Sequence, residues 1–228
     1  NTLFNRCIGL GDDDVDQIER FEAFYRSHAV PPRFDLCPPR RSADLIERLI
    51  TAGYALETHA GFSRRFSIAR PDHSLKEKAP GDFTIRPIDE PAELDHFLSI
   101  QATVWPEDGP RTRARLDRLR ASHGQPALHR YLAWVDGQPV ATAAMGVHGD
   151  VAFLFAGAVL KPFRKQGIQT ALLHRRMRDA SAIGVEFVAA LITPGSASER
   201  NLTRAGFQPA CDRELWLPAD WMESAFYR

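Results

Sequence analysis

Between Ala158 and Thr170 the chain reads AVLKPFRKQGIQT: an apolar run, a short basic stretch holding one glycine, then residues able to open a helix. An anion site needs this arrangement. The first N–H groups of a helix have no partner inside the helix, and the aligned peptide dipoles favour negative charge at that end. Gly167 lets the main chain approach an anion closely and can take a positive φ. Arg164 and Lys165 add positive charge. A pyrophosphate is a natural ligand for such a loop. The same residues would also serve as a solvated basic turn before an ordinary helix, so the surrounding elements have to decide.

Those elements read as follows. Phe83 to Ile88 is expected to be a strand, and Glu90 to Val104 a helix with Leu94, Phe97 and Leu98 inward. Pro106 and Pro110 bound a loop, and Arg111 to Ala121 is a second helix with a basic exposed side. Strands follow at Tyr131 to Val135 and Val140 to Val147, joined by the hairpin signal Asp136-Gly137. His148-Gly149-Asp150 turns into the long strand Val151 to Leu160. After the basic loop come the helix Thr170 to Ala182, the strand Val185 to Ile192, a helix at Ser198 to Arg204, and a strand at Pro209 to Leu217.

The first seventy residues carry their own pattern. Gly11 to Asp14 feeds a helix whose positive end suits the aspartates, and Ile18, Phe21, Phe24 and Tyr25 recur at helical spacing. Pro31-Pro32 stops it, and Arg33 to Cys37 is a short strand. Ser42 is placed to cap a helix holding Leu45, Ile46, Leu49 and Ile50, which Gly53 ends. Tyr54 to Ile68 has room for two short strands around Gly61, and Arg70 to Asp82 is the best linker. SADLIERLITAGY (Ser42 to Tyr54) echoes SASERNLTRAGF (Ser196 to Phe207), each following a helix and a short strand. Two short helices can also resemble one another by chance.

The basic loop resembles the pyrophosphate loop of the GNAT superfamily of N-acetyltransferases, Arg/Gln-x-x-Gly-x-Gly/Ala, through Arg164, Gly167 and Gln169. Phe163 fits the aromatic often found just before the arginine, and Gln169 departs from the usual small residue. PGSASERNLTRAGF (Pro194 to Phe207) is similar to the family's second motif, and the order of elements from residue 83 to 217 is that of the family's fold.

The resemblance implies an α/β fold of the α+β kind: a mixed, mostly antiparallel sheet flanked by helices. Its domains would be a GNAT domain over 83–228, a linker over 71–82, and a degenerate GNAT-like half over 1–70. In that half, GLGDDDVD (Gly9 to Asp16) stands where the second copy has RKQGIQTA; its aspartates would repel a pyrophosphate.

The resemblance further implies an acetyl group moved from acetyl-CoA, bound as co-substrate, to a primary amine of a small molecule or peptide. The coenzyme would lie on Ala158, Val159, Leu160, Arg164, Lys165, Gln166, Gly167, Ile168, Gln169, Thr170 and Asn201. Its pantetheine would pair with the backbone of Ala158 to Leu160, where two strands splay. No catalytic residue is assigned. The strand Val151 to Leu160 has no carboxylate, unlike many relatives. His148, Asp150 and Glu199 fit turn or surface duty better than a general base. Leu202 stands where many relatives place the tyrosine that protonates the departing thiolate. A non-catalytic acyl-CoA-binding or sensing module is the alternative. Trp105, Trp134 and Trp216 fit packing better than an acceptor groove, and His174 reads as a solvated histidine.

Composition weighs against other classes. Basic and acidic residues each number 29, giving no electrostatic ground for nucleic acid or an anionic membrane as partner. The longest apolar run, Val151 to Leu160, falls far short of the roughly 20 residues of a membrane helix. Asn1 to Gly11 lacks the plan of a signal peptide, and Asn1 does not read as a natural start. Cys7, Cys37 and Cys211 have no metal spacing; they read as reduced thiols in a cytoplasmic protein without a metal. The abundance of arginine over lysine suggests a GC-rich bacterial genome. Monomer and homodimer are both compatible with the sequence.

Overall fold

The computed structural model describes residues 7–8, 10–37, 42–58, 64–75, 83–88, 90–106, 109–122 and 125–222. Its elements are β1 (Cys7–Ile8), a 3₁₀ turn (Asp12–Gln17) leading into α1 (Ile18–Ser27), β2 (Phe34–Leu36), α2 (Ala43–Thr51), β3 (Tyr54–Leu56) and β4 (Arg64–Ala69). There follow β5 (Phe83–Pro87), α3 (Pro91–Val104), α4 (Gly109–Ala121), β6 (Leu128–Val135), β7 (Gln138–His148) and β8 (Val151–Val159). A 3₁₀ turn (Lys161–Phe163), α5 (Ile168–Ile183), β9 (Phe187–Ile192), α6 (Ala197–Arg204), β10 (Gln208–Pro218) and α7 (Ala219–Met222) complete the order. Gly61 and residues 76–82 of the expected linker lie outside the described residues. Two compact units result: residues 67–191 with 197–208, and residues 1–66 with 192–196 and 209–228.

In the unit of residues 67–191 and 197–208, β5, β6, β7 and β8 pair antiparallel in sequence order, and β9 lies parallel to β8. Period-two alternation sorts the side chains. Tyr131, Ala133, Ala141, Ala143 and Val159 pack with Ile168, Ala171 and Leu172 of α5. Leu132, Ala144 and Ala158 pack instead with Leu94, Phe97, Leu98 and Ile100 of α3. The alanines of β7 have no bulk to hold the helices off, so both can sit close. The β6–β7 turn places Asp136 at φ 47° and Gly137 at φ 77°, the left-handed pair a two-residue hairpin requires. Gly184, at φ 88°, ends α5, and Val185 N–H donates to the Ala180 carbonyl.

In the other unit β1 pairs parallel with β2, and β10 pairs antiparallel with β2 and β3. Leu10, Ile18, Phe34, Leu36, Leu45, Leu49, Tyr54 and Trp216 form its core. Ser42 caps α2 by accepting from Leu45 N–H at 3.1 Å, and Gly53 leaves the helix at φ 86°. Buried Glu22 accepts from the Tyr54 hydroxyl at 2.8 Å. The succession β1–α1–β2–α2–β3 repeats as β8–α5–β9–α6–β10, with a parallel strand pair opening each. Gly53 and Gly206 occupy matching places after α2 and α6, at φ 86° and 87°.

The cysteines correct the sequence reading. Cys37 and Cys211 are joined in a disulfide, and Cys7 is the free cysteine. They are 174 residues apart, and β2–β10 pairing brings their Cα atoms to 6.2 Å. Spacing rules cannot detect so distant a pair. The thiol argument for a cytoplasmic setting goes with it.

Candidate functional site

The site begins where β8 loses a neighbour. Its ladder to β9 covers Val151 to Leu154, opposite Phe187 to Ala190. Its ladder to β7 continues to Val159, opposite Ala141. From Phe155 onward one edge of β8 is therefore released from β9. Leu160 N–H donates to the Val140 carbonyl, so by antiparallel alternation the polar groups of Val159 face away from β7. This is the splay that the family resemblance implied near Val159.

A bulge lies at the head of that edge. The β7–β8 register shifts between Thr142 and Ala144, and Ala156 takes a left-handed φ of 51°. Its carbonyl accepts from Thr142 Oγ1 at 2.9 Å and from Gln101 Nε2 at 2.8 Å. Gln101 Nε2 also donates to Thr142 Oγ1 at 2.7 Å. From α5, Arg176 Nη1 donates to the Ala144 and Phe155 carbonyls at 3.2 and 3.5 Å. Burial pushes the Arg176 guanidinium down to about 10, which leaves it charged at neutral pH.

The basic loop starts at the other end of the edge. Phe163 packs against the core cluster that holds Val159, Ile168 and Leu172, and Arg164 Nε donates to the Val159 carbonyl at 3.0 Å. Lys165 and Gly167 are both left-handed, at φ 66° and 86°. Left-handed residues turn successive N–H groups toward one concavity. α5 starts at Ile168, two residues before the expected Thr170, because Ile168 is drawn into the core at 1% exposure. The first helical bond is Ala171 N–H to the Gly167 carbonyl at 3.0 Å. The N–H groups of Ile168, Gln169 and Thr170 precede it. Arg164, Lys165 and Gln166 are exposed, and Gln166 Nε2 reaches the Pro162 carbonyl at 3.4 Å. Ala158 to Leu160 and Arg164 to Thr170 thus form one continuous strand end, loop and helix mouth.

Asn201 sits on α6, its Oδ1 accepting from Arg204 at 3.1 Å. Nothing in the described contacts joins its side chain to the basic loop. Leu202 is buried at 6% exposure. His148 and Asp150 border the β7–β8 turn, at the opposite end of β8 from the loop. Trp216 belongs to the core of residues 1–66 and 209–228, and Trp134 lies beneath the Arg86 guanidinium and beside His96.

Sequence reasoning missed Gln101, Thr142 and Arg176. A signal existed: Gln101 continues the inward set Leu94, Phe97, Leu98, and Arg176 falls four residues after Leu172. A polar residue at a core position of a helix needs a partner, and here the partners belong to the bulge.

Among the described residues, no helix is long and apolar enough to cross a membrane. The family model described as acetyltransferase (GNAT) domain matches residues 63–195. A GCN5-related N-acetyltransferase from Kribbella flavida superposes with a TM-score of 0.70 at 17% identity, over 93% of this chain and 77% of the other. One from Sphaerobacter thermophilus does so with a TM-score of 0.67 at 15% identity, over 90% and 68%. A Staphylococcus epidermidis protein described as functionally unknown gives 0.67 at 12% identity, over 94% and 83%. At such identities these likenesses establish the fold. No curated protein matches the chain by sequence.

Proposed function

The chain belongs to the GNAT family of acetyltransferases and is an acyltransferase; we propose that it moves the acetyl group of acetyl-CoA to a primary amine of a small molecule or peptide. One observation carries this reading: left-handed Lys165 and Gly167 lead directly into the N–H groups of Ile168, Gln169 and Thr170, at the end of a strand edge released from its neighbour. Pyrophosphate oxygens would be met by those amides, with Arg164, Lys165 and Gln166 around them. Pantetheine amides would pair along Ala158, Val159 and Leu160 as an added strand. Asn201 would reach the pantetheine or phosphate region, giving up its bond to Arg204.

The amine nitrogen attacks the thioester carbon directly. A tetrahedral intermediate forms, the C–S bond breaks, and an amide and a thiolate result. A lysine-like amine has a pKa of about 10.4, so freeing its lone pair at neutral pH costs about 4 to 5 kcal/mol. A base or a water chain must take that proton. A thiolate whose conjugate acid has a pKa near about 8.5 can leave and be protonated by water. Leu202, buried where many relatives carry a tyrosine, supports that route. It equally favours the second reading, an acyl-CoA-binding or sensing module without turnover.

We read residues 1–70 as a degenerate copy of the same fold. The repeated order of elements and the matching Gly53 and Gly206 support this. At its 3₁₀ turn Gly11 N–H donates to Asp14 Oδ2 at 2.9 Å; on this reading the chain's own carboxylate would take the place of a phosphate there.

Incubation with acetyl-CoA and a panel of amines tests the reading, by release of free thiol and a mass gain of one acetyl group on an amine. Coenzyme binding without either product across the panel would favour the sensing module.

A further inference from the structure

The bulge in β8 holds an alanine, not a glycine, in a left-handed conformation, and side chains from two elements secure it. Resting on the transfer reading above, we propose that Gln101, with Thr142, is a positioning residue for the donor thioester: by fixing the peptide between Ala156 and Gly157, it aims the backbone donor that the acyl oxygen meets.

A left-handed alanine is disfavoured by its own Cβ and persists only where the surroundings over-determine it. Here they do. Both Nε2 protons of Gln101 are used, one on Thr142 Oγ1 at 2.7 Å and one on the Ala156 carbonyl at 2.8 Å. The Thr142 hydroxyl accepts the first and donates to the same carbonyl at 2.9 Å. Gln101 is 3% exposed and Thr142 fully buried, so water cannot substitute for either. Packing alone does not call for this polarity, since the Gln101 neighbours on α3 are leucine and phenylalanine.

The peptide bond is planar and trans, so its carbonyl and the next N–H point in opposite directions. Holding the Ala156 carbonyl therefore holds the Gly157 N–H. Gly157 is exposed, and a Cβ placed on it would have no atom within 4 Å, which leaves room for a ligand. The bulge begins after Phe155, one residue beyond Leu154, where β8 parts from β9. A pantetheine lying along Ala158 to Leu160 would bring its sulfur end there. As the amine adds, negative charge collects on the acyl oxygen, and a donor already aimed at it stabilises that charge without rearrangement. Gln101 touches no reacting atom and acts through the backbone.

The test compares three coenzyme forms by calorimetry: coenzyme A, acetyl-CoA and S-ethyl-CoA, the thioether with a methylene in place of the carbonyl. The native protein should bind acetyl-CoA roughly 3- to 10-fold more tightly than S-ethyl-CoA, the worth of one hydrogen bond. Gln101→Leu should reduce that preference to within about 2-fold while coenzyme A affinity stays within about 2-fold of native. Thr142→Val should weaken the preference and Thr142→Ser retain it, so the pair decides the matter if Gln101→Leu does not fold. The infrared stretch of bound ¹³C-acetyl-CoA should sit lower on the native protein than on Gln101→Leu. An unchanged preference in both Gln101→Leu and Thr142→Val, or none in a native protein that binds coenzyme A, overturns this inference alone. No binding of coenzyme A by the native protein overturns the coenzyme reading as well.

Discussion

Arg164 folds back on Val159: its Nε donates to the Val159 carbonyl at 3.0 Å, tying the basic loop to the strand that leads into it. One guanidinium N–H is thereby used and the others remain on an exposed side chain. Arg164 thus shapes the loop and supplies charge to it. Arg164→Ala should weaken coenzyme A binding about 10-fold, the effect of one charge-assisted bond, and Arg164→Lys should recover only part. Calorimetry at two salt concentrations checks this, because the native affinity should fall more steeply with salt than that of Arg164→Ala.

The disulfide gives a second expectation. Closing a loop of 174 residues removes unfolded-state entropy. The chain-entropy estimate is about 5 kcal/mol, as an upper figure. Reduction, or Cys37→Ser with Cys211→Ser, should lower Tm clearly in thermal melts. An unchanged Tm would mean the bond contributes nothing to the fold.

Cys7 is the free cysteine and half-buried, and burial, with a smaller effect of Asp14, holds its thiol above the ordinary range. Before reduction, alkylation by iodoacetamide should modify this one thiol more slowly than a small-molecule thiol at pH 8. Its rate should keep rising at pH values where the free thiol has levelled off. Mass spectrometry of the alkylated protein checks both statements.

Tyr131 provides a pH test of the sheet that carries the site. Its hydroxyl donates to Asp179 Oδ2 at 2.7 Å, and burial, then the bond to Asp179, holds it well above the usual tyrosine range. The folded state thus keeps a proton that the unfolded state loses above about pH 10, so this contribution is complete below pH 10 and lost above it. Tyr131→Phe should cost about 1 kcal/mol at neutral pH, and its deficit against native should shrink as pH passes 10. Paired denaturant titrations at pH 7 and above 10 measure this.

The sequence revealed the elements of the site more fully than their join. Apolar Val151 to Leu160, basic Arg164 and Lys165, and Gly167 marked strand, loop and helix mouth in order, because each effect is local. The start of α5 at Ile168 depended on the core claiming that side chain, which is a tertiary effect. The Gln101–Thr142–Ala156 network was harder still, because it links positions 41 and 55 residues from Gln101. Cys37 and Cys211 show the same limit. Ser42, Gly53 and the Asp136-Gly137 turn were readable since caps and turns are decided within a few residues.

The most direct test titrates the native protein with coenzyme A and, separately, with pantetheine, which lacks the pyrophosphate. If backbone amides at Ile168 to Thr170 grip that group, coenzyme A should give clear heat and bind at least about 100-fold more tightly, the worth of two or more charge-assisted hydrogen bonds. Gly167→Val, which cannot easily hold φ 86°, should remove most of the difference. No heat with coenzyme A, or equal affinity for the two compounds, would contradict the account.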